Sequence, residues 1–78
     1  MQIDDKVFNL VSESLGVEKE NISLDSHFYK DLNAEKLEVT DIILKAIQMF
    51  DLEIEENVYN SVKTVADLVD LIISHSNE

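Results

Sequence analysis

The side chains from which chemistry could be assembled gather in one short run, Asp31-Leu32-Asn33-Ala34-Glu35-Lys36-Leu37. An amine such as that of Lys36 attacks carbonyls only from a desolvated pocket, whereas Glu35 and Glu38 flank it here. Lysines that carry biotin or lipoate sit on hairpin tips of all-β domains, and nothing in this chain reads as strands. Oxygen ligands at alternate positions from Asp31 begin like a calcium loop. Lys36 then stands where such a loop needs glycine, and Ile42 where it needs a bidentate glutamate. Of the neighbouring hydroxyls, Thr40 would lie one turn inside the helix that follows, and Ser23 and Ser26 lie in the loop before it, so none is given a role. His27 and His75 are far apart and read as solvated residues, with no zinc spacing and no nucleophile context. One glycine cannot build a phosphate-cradling loop, and there is no cysteine for thiolate chemistry or disulfides. The chain is therefore expected to be neither an enzyme nor a metalloprotein, and Lys36 reads as an exposed surface lysine.

The elements that must position this run are helices. Ile3, Val7, Leu10, Val11 and Leu15 share one face of a first helix over residues 3–15, with Asp4 and Asp5 in its first turn and Gly16 as its stop. A long connection, 17–33, carries Val17, Ile22, Leu24, Phe28 and Leu32, which must pin it to the core if it has no regular structure. A second helix follows over about 35–50, in which Leu37, Ile43, Leu44, Ile47 and Phe50 recur at three- and four-residue spacing and are expected to face the core. Glu38, Asp41, Lys45 and Gln48 form its narrow polar face. Because the rest of its circumference is apolar, and so short a chain can hardly enclose it, part of this helix should line a cavity or meet a partner. A helical turn over about 56–60 carries Val58 and Tyr59. Thr64 caps a last helix with Asp67 in the capping-box position and Val65, Leu68, Val69 and Ile72 buried, and residues 74–78 should fray. The fold class is all-α: one domain over 1–78, with three main helices and a short one and a long loop between helices one and two.

A formal net charge of −11, from 17 acidic and 6 basic residues, opposes nucleic acid and anionic lipid, whose phosphates require cations. It suits a protein partner with a basic and partly apolar surface. With 45% hydrophobic residues the chain is not an acidic disordered tail. No run approaches the ~20 apolar residues of a membrane span. The first residues lack the basic and apolar regions of a secretory signal, so the Asn21-Ile22-Ser23 sequon carries no meaning, and the cytoplasm, or an organelle matrix after loss of a transit peptide, is the expected setting.

The run Asp31-Leu32-x-Ala34-Glu35-x-Leu37, followed by a helix ending at Phe50, resembles the acyl carrier proteins. Leu15-Gly16-Val17, Phe28, Glu53-Ile54 and Thr64-Val65 fall in matching places, so the resemblance covers almost the whole chain without an insertion. It implies the four-helix carrier fold. It also places Lys36 where the family has the serine whose hydroxyl bears 4'-phosphopantetheine. A transferase needs that hydroxyl to form a phosphodiester, and the phosphorus–nitrogen bond an amine would form is labile. The family's second helix is also usually acidic where Ile47, Gln48 and Met49 stand here. The leading expectation is thus a carrier-like binding or regulatory subunit without a prosthetic group, contacting its partner through Glu35, Lys36, Glu38, Val39, Asp41, Ile42 and Ile47. The alternative is a genuine acyl or aminoacyl carrier of fatty-acid or related biosynthesis, with 4'-phosphopantetheine attached elsewhere or a natural serine at position 36, and an acyl chain held in the bundle.

Overall fold

The computed structural model describes residues 3–76. Among them are four α-helices and no strand: α1 spans Ile3–Leu15, α2 Lys36–Phe50, α3 Glu56–Tyr59 and α4 Val65–His75. A 3-10 turn at Lys19–Asn21 lies within the long connection that precedes α2.

Local chemistry sets the helix ends. Asp4 and Asp5 occupy the first turn of α1, where exposed amides favour carboxylates. The helix stops at Gly16, whose φ of 68° turns the chain so that the Val17 amide reaches the Ser12 carbonyl at 3.3 Å. At the start of α4 the Thr64 hydroxyl accepts from the Asp67 amide at 3.1 Å, and the Asp67 carboxylate accepts from the Thr64 and Lys63 amides at 3.0 and 2.9 Å. That is the reciprocal capping arrangement expected from the sequence. Ser74 and His75 belong to this helix instead of fraying, and the Ser74 hydroxyl donates to the Asp70 carbonyl at 2.8 Å. Asn77 and Glu78 lie outside the described residues.

The three long helices touch pairwise. Val7, Leu10 and Val11 of α1, Val39, Ile42, Ile43 and Ala46 of α2, and Val65, Leu68, Val69 and Ile72 of α4 form the core. The expected inward stripe of α2 is corrected in part. Ile43 is buried and Ile47 and Phe50 are half-buried, but Leu37 and Leu44 are 81% and 46% exposed. Val39, Ile42, Ile43 and Ala46 lie within about 100° of arc on the helix, and that arc is the one closed by α1 and α4.

The long connection is pinned through Ile22 and Phe28, both buried. Leu24 is not an apolar anchor, being 39% exposed; its backbone does the fixing. The Ala66 amide donates to the Leu24 carbonyl at 2.9 Å and the Val65 amide to the Ser26 carbonyl at 3.0 Å, while the Phe28 amide donates to the Lys63 carbonyl at 2.8 Å. The loop thereby satisfies the first amides of α4, which a helix cannot pair internally.

Candidate functional site

Residues 27–34 deliver the chain to the head of α2 through a closed set of local hydrogen bonds. The His27 amide donates to Asp31 Oδ2 at 2.8 Å, and the His27 carbonyl accepts from the Asp31 and Leu32 amides at 2.9 and 3.1 Å. His27 Nδ1 accepts from the amides of both Tyr29 and Lys30 at 3.2 Å, and its ring lies tilted 5.8 Å from that of Tyr29. His27 is therefore a half-buried turn-forming residue, not the solvated one expected. The second histidine departs from expectation in the same way, being half-buried with Nδ1 2.9 Å from the Leu71 carbonyl.

Asn33 then takes φ 61°, a left-handed conformation that asparagine tolerates better than most residues. The turn this permits brings the Ala34 amide to the Phe28 carbonyl at 2.9 Å and buries Ala34. Glu35 follows in extended backbone as the N-cap residue of α2, and its amide donates to Glu38 Oε1 at 2.8 Å. The Glu38 carboxylate is thus folded back over the helix start. Lys36, the first helical residue, is exposed and makes no ion pair among the described residues; Lys45 pairs instead with Asp41 at 3.1 Å, one turn apart.

Of the residues expected to contact a partner, Glu35, Lys36, Glu38 and Asp41 lie exposed along the first turns of α2, and Ile47 is half-buried farther along. Val39 and Ile42 are corrected: they are 2% and 0% exposed, within the core, and cannot reach a partner while the bundle is closed. The residues missed are Leu37 and Leu44, exposed on the outer side, and Ile54 and Tyr59 across from Leu44. With Ile47, Leu52, Glu53 and Glu55, the last three of these line an open cleft of about 470 Å³. The sequence shows that Leu37 and Leu44 form a line of their own but not that this line faces outward. Leu37 and Leu44 are seven residues apart, hence nearly on one line of the helix, and they lie well away from the arc of Val39, Ile42, Ile43 and Ala46.

This donor set does not fit a phosphodiester-linked arm at residue 36, because Lys36 offers nitrogen where a hydroxyl oxygen is required. The nearby hydroxyls do not replace it. Ser26 is buried, with its Oγ accepting from the Ser23 amide at 2.9 Å, and Thr40 is half-buried one turn inside α2. Among the described residues no cluster of His, Cys, Asp and Glu could hold a metal ion, and no helix is long and apolar enough to cross a membrane.

The family model described as the phosphopantetheine attachment site matches residues 5–72. An acyl carrier protein of Chlamydia trachomatis is 35% identical over 77 residues, covering 99% of this chain and 100% of the relative. One from Cyanidioschyzon merolae is 39% identical over 74 residues, 95% of this chain and 81% of its own length. One from Borrelia garinii is 37% identical over 71 residues, 91% of this chain and 89% of its own length. With a model match over most of its length, full-length relatives at this identity and the helical bundle described above, the chain belongs to the acyl carrier protein family.

Proposed function

We propose that this chain serves fatty-acid or related biosynthesis as a carrier-type protein that engages enzymes through the head and outer face of α2. The observation that carries the reading is coverage. The attachment-site model matches residues 5–72, a span that holds α2 and α3 whole and most of α1 and α4. The relatives' shared name, acyl carrier protein, favours a loaded carrier over a regulatory subunit that never bears cargo. One residue weighs the other way: at Lys36 an amine replaces the esterifiable hydroxyl. With lysine at this position the chain meets its enzymes without an arm there, and with serine the same scaffold is a carrier that can be charged.

The test is intact-mass spectrometry after incubation with coenzyme A, magnesium and a broad-specificity phosphopantetheinyl transferase. The expected result is no mass gain for the chain and one phosphopantetheinyl addition for Lys36→Ser. An addition to the unaltered chain, mapped by fragmentation to Thr40 or another hydroxyl, would establish the loaded carrier and remove the armless reading. Failure of Lys36→Ser to be modified would overturn the carrier-type reading itself.

A further inference from the structure

Counting 100° per residue from Lys36 around α2, Ile47 falls at about 20°, Thr40 at about 40°, Leu44 at about 80° and Leu37 at about 100°, whereas Asp41, Lys45 and Glu38 lie between about 140° and 200°. A largely apolar stripe headed by a cation therefore runs down one side of the helix, with the acids on another. Leu37 and Leu44 are its exposed crests, and Leu44 and Ile47 lead into the cleft closed by Leu52, Ile54 and Tyr59.

The charges along this stripe change sign from one end to the other. Within α2, Lys36 and Lys45 balance Glu38 and Asp41, so the helix is formally neutral in a chain of net charge −11. Asp41 is paired with Lys45, and Glu38 is engaged with the Glu35 amide on the far side, which leaves the ammonium of Lys36, at the positive end of the helix, without an ion pair among the described residues. At the cleft's other wall, residues 51–59 contain Asp51, Glu53, Glu55 and Glu56 and no lysine or arginine.

We infer that this stripe docks a protein partner with a two-signed surface: a carboxylate facing Lys36, an apolar socket for Leu37 and Leu44, and arginine or lysine facing Glu53 and Glu55. The inference rests on the carrier-type reading for the use of this face; the order of charges comes from the residues themselves. Covering Lys36 with an apolar surface would desolvate an unpaired cation. A uniformly basic partner would meet it with like charge. A second copy of the chain is opposed by the repulsion of two bodies at −11.

The experiment uses the intact, isotopically labelled chain and two synthetic helical peptides that share a central leucine ridge. One bears aspartate at one end and arginine at the other; the second bears arginine at both ends. At about 0.15 M salt, where charges are screened beyond about 8 Å, contact pairs outweigh the pull of the net charge. The aspartate–arginine peptide is expected to bind about fivefold or more tightly than the doubly basic one, shifting the amides of Leu37, Leu44, Ile54 and Tyr59. Lys36→Glu, checked for folding by circular dichroism, should invert the order of affinities. Equal or tighter binding of the doubly basic peptide, binding of neither, displacement of the peptide from the cleft by decanoate, or dimerisation through this face in sedimentation would each overturn the inference. Transferase loading of Lys36→Ser is scored separately. Loading without peptide discrimination removes this surface alone, and discrimination without loading removes only the carrier-type reading.

Discussion

The amide of Phe28 donates to the carbonyl of Lys63 at 2.8 Å, fastening the middle of the long first connection to the residue just before the cap of the last helix. His27 and Thr64 face each other as an isolated antiparallel bridge at the same place. The Phe28 side chain is fully buried directly beneath, so backbone fastening and core packing act at one position. The run leading into α2 hangs from it.

Phe28→Ala should therefore be among the most damaging single changes. Removing a fully buried aromatic side chain costs about 3–5 kcal/mol, and a small domain has only about 5–15 kcal/mol in total. Urea denaturation followed by circular dichroism should show the transition move to much lower urea. A shift worth under about 1 kcal/mol would mean that the loop is not fixed in this way.

The cap of α4 yields a coupled pair. Thr64→Ala should cost about 1 kcal/mol by removing the acceptor for the Asp67 amide. Asp67→Ala should cost a similar amount, because its carboxylate holds the Lys63 and Thr64 amides. Since both residues belong to one hydrogen-bonded unit, the double variant should lose less than the sum of the singles. Strict additivity in urea midpoints would count against reciprocal capping.

On α2, neighbouring aliphatic positions should behave oppositely. Ile42→Ala removes a fully buried side chain and should cost about 2–5 kcal/mol. Leu37→Ala, at an exposed position, should stay within about 0.5 kcal/mol of the starting protein. Equal losses in thermal or urea melts would reverse the assignment of faces.

His27→Ala strips the acceptor from the Tyr29 and Lys30 amides. These amides lie in a loop that water can reach in part, so the cost should be about 1 kcal/mol, well below that of Phe28→Ala. Amide exchange at Tyr29 and Lys30 should accelerate, with that of the α1 core left nearly unchanged.

Lys36→Glu should stabilise the fold slightly, by a few tenths of a kcal/mol at low ionic strength, because it exchanges a cation for an anion at the amino end of a helix. The gain should fade as salt is raised. A salt-independent change in the melting temperature would point to a packing role for the Lys36 stem.

What the sequence disclosed and what it withheld divide along physical lines. Gly16 and the Thr64–Asp67 cap were legible because each is decided by residues within one turn. Membership of the family could be seen in Asp31-Leu32, Ala34-Glu35, Leu37 and the spacing to Phe50. The inward face of α2 was not legible, because Leu37 and Leu44 are as apolar as Val39 and Ile42. Only contact with α1 and α4 separates the two arcs, and that misassignment carried Val39 and Ile42 into the expected partner surface. The role of His27 stayed hidden for another reason: a ring nitrogen accepting from amides two and three residues ahead leaves no compositional trace. The bridge to Thr64 joins segments too distant in sequence for periodicity to reveal.

Since carbonyls of Leu24 and Ser26 close the amino end of α4, that end has no independent freedom to unwind. Isotope exchange at Val65 and Ala66 should require the same opening event as at Phe28, and a nick in the polypeptide between residues 29 and 33 should loosen the start of the last helix from across the molecule.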